Sequence, residues 1–220
     1  MKRTLVLLTA GALLFTACQD DPKADSAQTG EATAAAVATG ATYKADLTAS
    51  RVEWTGTKPT GEHSGANKLK DGSMMIENGA ITGGKFEIDM SSLQIIDKDT
   101  NGASKLAGHL SSPDFFDAGK YPTATFEITG VKAGLDSAMA KDLVMKDATH
   151  TVSGNLTLKG VTKGITFPAK IAVTDASATA DANFNIDRTN WGIVYNADKG
   201  LGDKFIRPIV NINLHLVANK

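Results

Sequence analysis

From Tyr43 to the end of this 220-residue chain, apolar side chains recur at every second position, and that period constrains the fold more than any other feature. Ile165, Phe167, Ala169, Ile171 and Val173 alternate with Thr166, Pro168, Lys170, Ala172 and Thr174. Val152, Leu156 and Leu158 alternate with polar neighbours, as do Val210, Ile212, Leu214 and Leu216. Val52 and Trp54, then Phe86, Ile88 and Met90, then Phe126 and Ile128, give further runs of the same kind. Successive side chains of a strand point to opposite faces, so a period of two means strands with one buried face. Asp71-Gly72, Asn78-Gly79, Gly83-Gly84, Lys159-Gly160 and Lys163-Gly164 are turn signals expected to separate the runs. The count is about eight antiparallel strands in an all-β barrel or sandwich.

One region departs from this period. Leu106, His109 and Leu110 lie at helical spacing, and Ser112-Pro113-Asp114 has the form of a helix cap, a first-turn proline and an acidic first turn. One or two short helices are therefore expected between Thr100 and Tyr121, at one end of the β body. No boundary for a second domain follows Tyr43, so residues 43–220 read as one domain.

The first segment has a different character. Met1-Lys2-Arg3 is positive, and Leu5 to Ala17 is an apolar run shorter than the roughly 20 residues a membrane span requires. Residues 1–17 read as a signal peptide. Leu14-Phe15-Thr16-Ala17-Cys18 resembles a bacterial lipobox, which makes Cys18 the expected acylated N-terminus and the membrane anchor. Residues 18–42 are rich in Ala, Thr, Asp and Gly, without an aromatic, and read as a flexible tether. Gln19-Asp20-Asp21 is similar to the acidic surface-export signal of Bacteroidetes lipoproteins. The expected location is thus the bacterial cell envelope, facing the periplasm or the cell surface.

Composition excludes several functions. Lys and Arg number 23 against 24 Asp and Glu, a net charge of −1 without basic blocks, which argues against nucleic acid as a partner. Cys18 is the single cysteine, so there is no internal disulfide, CxxC pair or cysteine zinc site. Four histidines, at 63, 109, 150 and 215, lack the pairing of HExxH sites. No GxSxG, P-loop or GxGxxG motif is present. No cofactor and no metal is expected.

Periodicity alone favours a solid core over a cavity, since eight strands either fill their interior or hold one small ligand. The motifs add to this. Ser50-Arg51-Val52-Glu53-Trp54 with Gly61-Glu62-His63-Ser64-Gly65 is similar to the opening of the YceI-like lipid-binding domain. Gly108-His109-Leu110-Ser111-Ser112-Pro113-Asp114-Phe115-Phe116-Asp117, followed by Tyr121 to Phe126, resembles its most characteristic block. Gly154 to Lys163 resembles the next block, and Asp187-Arg188 with Trp191-Gly192 a later one.

The resemblance implies a lipocalin-like antiparallel barrel with a long apolar pocket for a polyisoprenoid or other long-chain lipid, and no reaction. It implies a pocket lined by Trp54, Phe86, Ile88, Met90, Phe126, Leu156, Phe167, Ile171 and Phe184. The expected function is an envelope lipoprotein that carries or stores such a ligand. The alternatives are a solid-cored adhesion or scaffold lipoprotein and an envelope enzyme that uses His63 and His109. Against the enzyme stands a structural reading of the polar residues in these blocks: His109 hydrogen-bonds backbone around the short helices, and Asp187 pairs with Arg188.

Overall fold

The computed structural model describes residues 21–35 and 37–220. The signal sequence, Cys18 and the Gln19-Asp20 pair lie outside the described residues. Among the described residues, eleven strands and two short α-helices follow in chain order. They are β1 Asp25–Ser26, β2 Gln28–Gly30, β3 Ala41–Ala45, β4 Arg51–Lys58, β5 Gly61–Glu77, β6 Ala80–Ile95, α1 Ala103–Ser111, β7 Thr123–Ala133, α2 Ser137–Ala140, β8 His150–Leu158, β9 Val161–Val173, β10 Ser177–Asp187 and β11 Ile209–Asn219.

β4 to β11 form a closed antiparallel barrel of eight strands, each paired with its sequence neighbour. β11 returns to β4 over Val210↔Gly56 to His215↔Arg51 and closes the ring. β4 reaches only half the length of the 17-residue β5. β3 covers the other half, pairing Ala41–Lys44 with Ile76–Ser73 and reaching β11 at Ala218 and Asn219. Where β3 gives way to β4 the chain turns, and Ser50 bridges the break in the ladder: Val217 N donates to its hydroxyl, which donates to Val217 O.

Two of the five expected turns are turns. Asn78-Gly79 and Lys159-Gly160 have positive φ at both residues, as a two-residue hairpin requires. Asp71-Gly72, Gly83-Gly84 and Lys163-Gly164 sit inside β5, β6 and β9. Gly83 and Gly164 are there because another part of the chain passes over them. A Cβ on Gly164 would lie 2.5 Å from Glu31 O, and one on Gly83 2.7 Å from Ala38 Cβ.

That passing segment corrects the expected tether. β9 and β10 bond each other only from Lys170↔Asp181 to Val173↔Ala178, then diverge toward the α1 end. Residues 25–30 fill the gap: β1 runs parallel to β10 at Phe184 and Asn185, and β2 runs antiparallel to β9 from Thr166 to Gly164. Asn185 Nδ2 donates to Pro22 O, Asn155 Nδ2 to Thr33 O, and Thr33 N to Asn155 Oδ1. The Asp25 carboxylate accepts from the amides of Val144 and Met145. Strand addition runs on backbone hydrogen bonds, so small polar side chains suffice, and the composition that suggested disorder is compatible with a fixed strap. Ala27 adds packing against the core.

Of the one or two short helices expected between Thr100 and Tyr121, α1 forms. The Ser112-Pro113-Asp114 segment is a turn that ends α1, with the Ser112 hydroxyl donating to His109 O.

Candidate ligand-binding pocket

Strand direction sorts the barrel interior into two halves. Away from α1 the bore is filled: Met74, Ile76, Ile81, Ile128, Ala169 and Ala178 are all buried and pack in one cluster. Toward α1 it is partly open, with a cavity of about 300 Å³, at the small end of the roughly 300–1,000 Å³ typical of small-molecule sites. Inward residues supply its wall: Val52 and Trp54 from β4, Phe86, Ile88 and Met90 from β6, Phe126 from β7 and Leu156 from β8. Ile165 and Phe167 of β9 with Phe184 and Ile186 of β10 complete it on the side of the gap. The absence of side chains at Gly65 and Gly154 leaves room for the rings of Trp54 and Phe126.

Eight of the nine residues expected to line a pocket therefore stand around one cavity. Ile171 does not; it belongs to the packed half, at the level where β9 and β10 still pair. Alternation along a strand gives the face on which a side chain lies but not its depth along the bore.

The lid of the pocket came from no strand pattern. Leu110, Phe115 and Ile193 are buried together, with Leu106, Phe116 and Ile206 packed on them, and all six line the cavity. They come from α1 and the segments after it and after β10. Arg188 holds the second of these segments in place. Its side chain is buried, and it donates through Nε to Arg207 O, through Nη1 to Ile193 O, and through Nη2 to Tyr195 O and Ile206 O. Burial pulls its pKa below the ordinary value, with the nearby charge of Asp187 acting in the opposite direction. The expected Asp187–Arg188 side-chain pair is absent. Asp187 instead accepts from the amide and hydroxyl of Thr189 and starts a short 3-10 helix, Arg188–Trp191. Trp191, fully buried, donates to Leu156 O at 2.9 Å.

Polar groups are few in the wall. Asn67, also missed by the alternation, points inward from β5, accepts from Trp54 Nε1 at 3.3 Å and donates to Asp89 O at 3.1 Å. Partly exposed Lys58 and His63 line the cavity where it meets solvent. His63 Nδ1 lies 2.7 Å from Asp97 Oδ2, and the Ser64 amide donates to Asp97 Oδ1. Burial acts to raise the pKa of Asp97, but the Ser64 amide and His63 outweigh it and hold the carboxyl below its usual range. His109 sits edge-on between Phe115 and Tyr195, with Nε2 3.0 Å from Asp114 Oδ2. His63 and His109 thus have separate carboxylates. Among the described residues no group of three or more His, Cys, Asp or Glu could hold a metal ion.

A closed antiparallel barrel with a solid floor and an apolar upper bore defines the lipocalin-like class of binding folds. Within that class, a model of the YceI-like domain matches residues 43–218, and the chain belongs to that family. Over 101 residues it is 40% identical to a UPF0312 protein of Pseudomonas paraeruginosa, and over 107 residues 35% identical to protein YceI of an Escherichia coli strain. The matches span 46% and 49% of this chain and only 44% and 48% of those relatives. The fold is shared with Burkholderia cenocepacia BcnA (TM-score 0.60, 22% identity, 79% of this chain and 99% of that one). It is also shared with a domain from Saccharophagus degradans described as polyisoprenoid binding (TM-score 0.58, 16% identity, 80% of this chain and 97% of that one).

Proposed function

We propose that this protein is an envelope lipoprotein that holds a long-chain apolar ligand, of polyisoprenoid or similar type, in the upper half of its barrel as a carrier or store. The observation that supports this most is the cavity itself, walled by Trp54, Phe86, Phe126, Phe167 and Phe184. Burial of aliphatic surface there, at roughly 25 cal/mol per Å², supplies affinity without directional contacts. The fold shared with a domain described as polyisoprenoid binding supports the same ligand class. The reading assigns no reaction, and it places the acyl anchor at Cys18.

Protein purified from membranes is expected to release a long-chain lipid on organic extraction and to show the matching mass increment in native mass spectrometry. A panel of isoprenoids and fatty acyl compounds that neither co-purifies nor raises the melting temperature would favour the solid-cored scaffold. For the anchor, Cys18→Ser is expected to move the protein from the membrane to the soluble fraction or leave it uncleaved. Membrane association that persists in a processed Cys18→Ser chain refutes the anchor.

A further inference from the structure

We infer that the α1 end of the barrel is a membrane-docking face, with the pocket mouth held against the lipid bilayer so that ligand passes between bilayer and bore without crossing water. The inference rests on the reading of Cys18 as acylated and goes beyond it by fixing an orientation.

The first argument is the length of chain between the anchor and the barrel. The strap is bound to the barrel from its first described residues: Asp21 Oδ1 lies 3.8 Å from Arg207 Nη1, and Pro22 O accepts from Asn185. Arg207 is a rim residue at the α1 end, its amide donating to Thr57 O. Only three peptide units separate Asp21 from Cys18, a reach of at most about 11 Å when fully extended. A free tether from Cys18 to Thr42 would instead span roughly 25–30 Å on average and leave the barrel free to turn. The strap removes that freedom and brings the lipid-bearing residue close to the pocket end.

The second argument is the surface found there. Val194 is 62% exposed and Leu201 42% exposed, both in the segment between Trp191 and β11 that carries Arg207. Ile96, 47% exposed, follows β6 at the same end. Lys199 and Lys204 flank Leu201, Asp198 and Asp203 accompany them, and Arg207 lies beside Asp21 of the strap, so this face offers apolar contact with its charges balanced. Such a face fits the bilayer interface itself and does not require anionic headgroups. Lys58 and His63 at the mouth lie at the depth where an amphipathic ligand keeps its polar end.

Full-length acylated protein reconstituted in phosphatidylcholine vesicles containing doxyl-labelled lipid tests this. Acylation occupies the Cys18 thiol, so a Val194→Cys or an Asp175→Cys variant carries one reactive cysteine for a bimane probe. Asp175 is exposed in the turn between β9 and β10, at the opposite end. Quenching at position 194 is expected to exceed that at 175 at least twofold, and to be unchanged when phosphatidylglycerol is added. Equal quenching at the two positions, in protein that floats with the vesicles, overturns the orientation alone. Protein that carries no acyl group and does not float overturns the anchor, and the orientation with it.

Discussion

Phe167 of β9 and Phe184 of β10 stack with ring centroids 4.0 Å apart and planes inclined by 14°, just beyond the last hydrogen-bonded pair of the two strands, Lys170↔Asp181. Where the ladder opens, the interior is closed by an aromatic pair and the wall by the strap. The same two rings line the cavity, so the seam and the binding site share their inner surface.

Phe167→Ala is expected to remove about 3–5 kcal/mol of stability, the usual range for a buried phenylalanine. Phe167→Leu keeps an apolar group and is expected to lose less, about 1–2 kcal/mol, while reshaping the site. Phe167→Asp places an unpaired carboxylate among apolar side chains, which forces protonation, water entry or unfolding. Urea unfolding followed by circular dichroism orders the three. An aspartate variant as stable as the leucine variant contradicts the buried, ligand-facing position.

Gly164→Val targets the strap while sparing the core, because position 164 lies under Glu31 O. The strap is expected to lift. Limited proteolysis then cuts within residues 21–35, and the backbone amides around Thr166 lose hydrogen-exchange protection, while the barrel keeps its cooperative transition. An unchanged digestion pattern shows that the strap tolerates the side chain and the crossing is looser than described.

Arg188→Met retains much of the side-chain volume and leaves the carbonyls of Ile193, Tyr195, Ile206 and Arg207 without that donor. Each buried unsatisfied group costs about 1–3 kcal/mol, less where water reaches it, so a loss of at least about 3 kcal/mol is expected. Exchange should accelerate first across residues 193–207. Arg188→Lys can reach only part of this set and is expected to fall between methionine and wild type.

Acid should destabilise the mouth through Asp97. Its folded pKa lies below the ordinary 3.8, so the unfolded chain binds the proton more readily and stability falls as pH drops through that region. The contribution is complete at neutral pH and is lost from about pH 5 downward. Asp97→Asn is expected to flatten that part of the curve of melting temperature against pH. Parallel curves for variant and wild type would show that Asp97 contributes no such linkage.

The strands were legible because alternation follows from geometry that every strand obeys, and it placed seven of the eight wall residues on the inner face; Phe184 was expected from the family resemblance alone. It could not say that Ile171 lies in the filled half, because depth along the bore is set by the register of eight strands together. The lid residues Phe115, Ile193 and Ile206 carry no periodic mark, and the helical spacing of Leu106 and Leu110 did not say what they cover, since these contacts join segments far apart in sequence. The strap escaped notice for a different reason: hydrogen bonds from its backbone are independent of side-chain identity. Gly83 and Gly164 were the available signal. Both lie within strand patterns, and a glycine there can mean that another backbone passes close by.

The strap also sets an order of events during synthesis. Pro22 and its partner Asn185 are 163 positions apart, so a segment made well before β10 is among the last to find its place. Until β10 has emerged, residues 21–33 have no seam to enter, and a chain stalled before that point exposes the free edge of β9 beside an unused strand of its own. Contacts of such long sequence separation are slow to form, and two incomplete chains held close together could satisfy each other instead. Exchange of straps between copies is therefore the misassembly to which this barrel is most open.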